Sequence, residues 1–363
     1  MRPVVITFAL CALLGCARES SPVWIGTAGP WDEGYGQMNK RGIDLAIEEV
    51  NGKGGVRGRP LRLLARNDEA DGVRATSIAS EFFENSDVVG VVGHVTSGAM
   101  VAAARIYDQG LPAVATTVST PDLSGMSTFV FRVISSDSVN GADLAHFAKR
   151  RGFHTASILY ENNAYGRGLA AAFARGFDGV ILSSDPIPST DSAVFEPYVA
   201  YLATRKPDVV FVAGTEGSGK AVLREARHHA LKSAFIGGDG WAGVVADGAA
   251  DGAYVGTPFT AKDDRPDAQR FVQAFRQRYH MDPDGHAALA YDATMLLITA
   301  ISKAGADRQA IRDWLAALGP ETAYPGVTGP LRFLPTGDVA GKGIVVTQVR
   351  DGVLIPLTGD GRS

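Results

Sequence analysis

The sequence predicts an α/β protein of two lobes built on mainly parallel sheets. Its 363 residues exceed what one ordinary core holds. From Val23 onward, short β-branched apolar runs alternate with segments of helical periodicity, the pattern of strands crossing over through helices. Glycine is abundant, at 43 residues, as tight strand-to-helix turns require.

The elements follow in order. MRPVVITFALCALLGC places Arg2 before an apolar run from Val4 to Leu14. That run is shorter than the ~20 residues of a membrane span and has the layout of a secretory signal. Its ending, Leu13-Leu14-Gly15-Cys16, resembles the lipobox of bacterial lipoproteins, with small Gly15 for the peptidase and the Cys16 thiol as the group that takes lipid. Residues 1–15 are then a lipoprotein signal peptide, Cys16 is the lipidation site, and polar residues 16–22 are a tether. The alternative is an ordinary cleaved signal with a chance cysteine. Cys11 leaves with the signal, so no internal disulfide or thiolate metal site is expected.

PVWIGTAGP reads as a strand. Ile43, Ala46, Ile47 and Val50 repeat at helical spacing over Lys40–Val50, and the glycines of NGKGG end that helix. RPLRLLARND and DVVGVVG read as strands around the helix ATSIASEFFEN; AMVAAARIYD is a helix, and LPAVATTVST a strand and loop. A second set begins near Asp137: helices SVNGADLAHFAKRR, GRGLAAAFARGF and GKAVLREARHHAL alternate with strands TASILYEN, DVVFVAG and SAFIGGDGW. DAQRFVQAFRQRY and ALAYDATMLLITAISKA are later helices. The stretch from Gly329 to Leu357 reads as an antiparallel β finish, with turns at Thr336-Gly337-Asp338 and Asp351-Gly352.

Several chemistries lack their residues. A net charge of −4 offers no basic surface, so nucleic acid is not an expected partner. No Gly-x-Ser-x-Gly elbow is present. His228-His229 point to different faces of a helix, the other histidines have no zinc spacing, and no metal or cofactor is expected. Glu48-Glu49 reads as a solvated helix face. Gly214 to Ala221, GTEGSGKA, nearly matches a phosphate-cradling loop, but Ala221 stands where a hydroxyl should hold Mg²⁺. A plain strand-to-helix turn is the simpler reading, and an enzyme is not expected.

What remains is a set of polar strand ends. Thr96-Ser97 and Thr116 to Pro121 lie in the first half, Tyr165-Gly166 and Gly238-Asp239-Gly240 in the second. Ligands of open α/β sheets bind outside the carboxyl ends of the strands. Any one such loop is ordinarily just a turn; four of them in two lobes favour a pocket.

VNGKGGVRGRPL, VVGHVTSGA, STPDLS, YENNAYGRGLA, FIGGDGW and AYDA before TGPLRF together resemble the Leu/Ile/Val-binding family of periplasmic binding proteins, from about Val23 to the end. The resemblance implies the periplasmic binding protein type I fold: two Rossmann-like lobes joined by a three-strand hinge, with the ligand cleft between them. Lobe 1 would comprise residues 23–134 plus 259–330, lobe 2 residues 135–258 plus 331–363. It also implies residue roles. Ser97 matches the serine on the ligand carboxylate; Ser119 the hydroxyl residue that contributes backbone and side chain; Thr117 the backbone carbonyl facing the ammonium; Asp239 the acid paired with that ammonium; Tyr35 and Tyr165 the aromatic walls. Thr215 stands where branched-chain binders place an aromatic, and His286 where a large apolar ring is common. Val95 keeps an apolar wall and Thr96 adds a hydroxyl, so the side-chain pocket reads as more polar than one for leucine. The function implied is a lipid-anchored, exported solute-binding protein of the cell envelope, which captures an amino acid or close derivative by hinged closure and delivers it to an ABC permease. The alternative is a ligand sensor of the same fold.

Overall fold

The computed structural model describes residues 21–190 and 194–357. The signal, Cys16 and most of the tether therefore lie outside the described residues. The chain first builds β1 (Val23–Gly29), α1 (Gly34–Gly52), β2 (Leu61–Asn67), α2 (Gly72–Glu84), β3 (Val88–Gly93), α3 (Ser97–Tyr107), β4 (Ala113–Ala115) and β5 (Val130–Arg132). These strands form one parallel sheet in the order β2-β1-β3-β4-β5. Every residue of β3 is buried, because helices cover both faces of a parallel sheet. α1 starts six residues before the expected Lys40. A Cβ at Gly36 would stand 1.9 Å from the Pro30 carbonyl oxygen, so only glycine lets the first turn fold back this tightly.

The second lobe follows as α4 (Asp137–Arg150), β6 (Thr155–Glu161), α5 (Ala164–Gly176), β7 (Val180–Ile187), α6 (Glu196–Arg205), β8 (Val209–Ala213), α7 (Glu216–His228), β9 (Ala234–Gly237) and β10 (Tyr254–Thr257). The chain then returns to the first lobe as α8 (Pro266–Tyr279), α9 (Gly285–Ala304) and α10 (Arg308–Ala316). By length and mean hydropathy, 1.2, α9 could cross a membrane. It is instead a core helix, its Leu289, Leu296 and Leu297 packed with Ile25, Val92 and Val114 of the first sheet.

The hairpin β11 (Tyr324–Gly326) and β12 (Gly329–Leu331) precedes β13 (Val345–Arg350) and β14 (Val353–Pro356), which add antiparallel to β10 and complete the second sheet, β14-β13-β10-β9-β8-β6-β7. The antiparallel finish thus forms as expected, with its turn at Asp351-Gly352. β5, β7, α6, β10 and α10 lie where sequence pattern marked no element; β7, the sheet's edge, carries Ser183, Ser184 and Asp185 in mid-strand.

Two α/β lobes result, each with its own core, and the chain passes between them three times, over residues 133–136, 258–265 and 340–344. Leu331, Phe333 and Val339 pack into the first lobe's core, whereas Ile344 and Val346 join the second. Arg132, 1% exposed, braces the first passage: its guanidinium donates to the Val118 and Thr120 carbonyls and to Ser124 Oγ, and pairs with Asp338 at 2.5 Å.

Candidate functional site: a polarised cleft between the lobes

The carboxyl ends of both sheets face a cavity of about 410 Å³ between the lobes. On the first lobe, β3 ends at Gly93 and the chain turns through His94 into α3. His94 is wholly buried, its Nδ1 2.6 Å from Asp68 Oδ2 and its Nε2 2.9 Å from the Tyr107 hydroxyl. These bonds seat the turn so that Val95, Thr96, Ser97 and Gly98 line the cavity. Thr96, the N-cap of α3, makes no side-chain capping bond, and its buried Oγ1 has no partner among the described residues. The first N–H groups of α3 therefore face the cavity with a partial positive charge, a favourable seat for an anion. Ser97 Oγ accepts the Thr120 N–H at 3.4 Å, and Thr117 Oγ1 donates to the Val95 carbonyl at 2.8 Å. Thr117 also lines the cavity.

Ser119 does not line it. It is fully buried, and its carbonyl accepts the Asp137 N–H at 2.7 Å. Tyr35, from the first turn of α1, and His286, from the first turn of α9, complete this wall with ring centroids 6.0 Å apart. Burial works to lower the His286 pKa, but the Asp284 carboxylate 3.3 Å away, with Asp239 and Glu216 beyond it, holds the imidazole above its ordinary value.

The second lobe presents acids. Asp239 follows β9; its Oδ1 accepts the Tyr165 hydroxyl at 3.1 Å, and that hydroxyl oxygen accepts the Gly240 N–H. Burial raises the Asp239 pKa, against the pull of His286 and the Tyr165 hydroxyl. Glu161, the last residue of β6, also lines the cavity. Its Oε1 accepts the Thr215 N–H, the Thr215 hydroxyl and the Ser218 hydroxyl, at 2.8, 2.7 and 2.8 Å. The loop that nearly matched a phosphate cradle thus holds a carboxylate of its own chain, and Lys220 lies 3.9 Å from Glu216 instead of a ligand. Thr215 lines the cavity but its hydroxyl is committed to Glu161.

Of the ten expected ligand residues, then, Val95, Thr96, Ser97, Thr117, Tyr35, Tyr165, Thr215, Asp239 and His286 meet at one cavity, and Ser119 stands outside its lining. Sequence reasoning passed over Glu33, Glu69 and Glu161, which line it too. Glu161 was findable by the same strand-end rule that marked Asp239. Asp137 was not: it looks like any acid in a helix's first turn, yet it is fully buried. Burial and then the Asp239 charge push its pKa well up, against weaker opposition from Ser119, Arg132 and Asn140. Among the described residues, no group of three His, Cys, Asp or Glu side chains converges as a metal-ligand set.

Two α/β lobes around a cleft with a helix N-terminus on one side and a buried acid on the other define a small-molecule binding protein. Residues 24–353 match the family described as Periplasmic binding protein, and the chain belongs to that family. It is 28% identical over 349 residues to the leucine-, isoleucine-, valine-, threonine- and alanine-binding protein of Pseudomonas aeruginosa, an alignment covering 92% of each chain. An ABC transporter substrate-binding protein of Desulfitobacterium hafniense, solved with Leu, is 31% identical with a TM-score of 0.80, covering 93% of this chain and 100% of that one. A leucine-binding protein of Thermotoga maritima is 26% identical with a TM-score of 0.85, covering 93% and 98%. The family and these relatives are substrate-binding proteins of transport, not enzymes.

Proposed function

We propose that the cleft captures a free α-amino acid or close derivative. The observation that carries this reading is the opposite polarity of the two walls: open N–H groups of α3 on one lobe, the Asp239 carboxylate on the other. The ligand carboxylate sits at the α3 N-terminus with Thr96 and Ser97, each charge-assisted bond contributing about 1.5–3 kcal/mol. The ammonium sits against Asp239, with the Thr117 carbonyl beside it, while Ser119 supports from behind by holding the Asp137 backbone. Val95, Tyr35, Tyr165, Thr215 and His286 flank the ligand's side chain. A ligand gripped by both lobes favours the closed form over the open one.

In this reading the closed complex delivers its ligand to an ABC permease. The chain is exported and held in the cell envelope by lipid on Cys16. The lobes divide as residues 23–134 with 259–330, and 135–258 with 331–363, the third boundary shifting to about residue 340 because Phe333 and Val339 pack in the first core.

Calorimetry of the purified protein against the common amino acids, with benzoate as a carboxylate lacking an ammonium, tests the site. At least one amino acid is expected to bind, benzoate is not, and Asp239→Asn is expected to weaken binding tenfold or more. Undiminished affinity in that variant removes Asp239 from the site; benzoate binding as tightly as the best amino acid replaces the reading.

A further inference from the structure

We infer that the preferred ligand is a basic amino acid, one with a second positive charge at the end of its side chain. The inference rests on the amino-acid reading above and concerns what lies beyond the α-ammonium. Among the described residues four carboxyl groups line the cavity, Glu33, Glu69, Glu161 and Asp239, and no lysine or arginine does. Glu69 is 2.9 Å from Arg74 and so is compensated. Asp239 answers the α-ammonium. Glu161 is held by hydroxyls, an amide and a backbone N–H, all neutral donors, so its charge is solvated without being cancelled. Among the described residues His286 is the one basic group in the lining, and Asp284 at 3.3 Å answers it.

The surplus negative field converges on one ring. Tyr35 is pushed well above the usual phenol range, first by burial and then by Glu33 and Asp68 from its own lobe and Glu161 and Glu216 from the other. Its hydroxyl makes no hydrogen bond to a described residue, and its ring lies at the cavity's edge beside His286. An aromatic face among carboxylates is a seat for a cation. A zwitterion with an apolar side chain leaves the buried Glu161 without a counter-charge, with the exposed Glu33 adding negative charge at the rim. A lysine- or arginine-like ligand supplies it, and a cavity of about 410 Å³ accepts the longer side chain.

The test is calorimetry of the purified full chain with L-lysine, L-arginine, L-leucine, L-norleucine and L-glutamate; norleucine has lysine's carbon chain without its terminal ammonium. Lysine or arginine is expected to bind at least tenfold more tightly than norleucine and leucine, with glutamate weakest, and the preference is expected to shrink as salt rises. Because Glu161 also ties Thr215 and Ser218, two variants are used. Glu161→Gln and the rim variant Glu33→Gln are each expected to lower the lysine-to-norleucine affinity ratio at least threefold. Leucine or norleucine binding as tightly as both bases overturns this inference and leaves the amino-acid reading intact. Binding of none of the five overturns this inference, and the amino-acid reading falls with it only when the other common amino acids also fail to bind.

Discussion

Asp239 and Asp137 place two carboxyl groups under burial, and the Asp239 charge adds to the cost of ionising Asp137. Asp239 faces the cavity and Asp137 stands outside its lining, so in the proposed reading the ligand's ammonium favours an ionised Asp239. His286 is the counterweight on the opposite lobe. Its folded pKa lies above its ordinary value of 6.5, so the stability it contributes is fully present below that pH and fades as pH rises through the folded value. His286→Gln is therefore expected to lower the melting temperature most near about pH 6 and least near about pH 9. A difference that grows with pH would mean that the imidazole is neutral in the folded protein. These placements were only partly legible in sequence. Asp239 announces itself at a strand end between glycines, whereas Asp137 acquires its role from tertiary burial, which no local pattern encodes.

At the scale of elements, three strand-to-helix turns build the second lobe's wall, and Gly166 in α5 shows how tight they are. A Cβ there would lie 2.1 Å from the Glu161 carbonyl oxygen and 2.9 Å from that of Ala213, both backbone atoms that cannot step aside. Gly166→Ala is expected to destabilise the fold by about 1–3 kcal/mol, read by denaturant unfolding. It should also disturb Tyr165 and Glu161 and so weaken ligand binding; unchanged stability would show that the turn yields more readily than its geometry implies. Long elements with clean periodicity, such as α9 and β3, were readable because burial on one face, or on both, dictates their composition. β7 was not, because an edge strand bearing serines and Asp185 meets its ladder on one side only and needs little apolar surface. The start of α1 was missed for a related reason: Gly34 and Gly36 are poor helix formers locally, and close packing against Pro30 overrides that preference.

For the whole molecule, the alternation of elements anticipated two lobes, but the meeting of their strand ends depends on how the chain passes between them, which periodicity does not report. Glu216 shows how closely the lobes approach. Its carboxylate, from α7, lies 2.5 Å from where a Cβ on Gly34 of α1 would stand and 1.4 Å from one on Gly243, so both glycines are shaped to it. The lipid reading belongs to this scale as well. Cys16→Ser is expected to move the expressed protein from the membrane pellet to the soluble fraction, and continued sedimentation with membranes would show that Cys16 is not the anchor.

Arg59 gives this arrangement a mechanical sense. Its guanidinium grips the carbonyls of Ser21 and Pro22 at 2.6 and 3.0 Å, just before β1 begins. β1 runs seven residues from there toward the ligand, roughly 23 Å at ~3.3 Å per residue. A pull on the residues before Ser21 is thus borne by one jaw, at its heel. With the lipid proposed on Cys16, the other jaw, linked among the described residues by three thin passages, would swing without dragging that mooring.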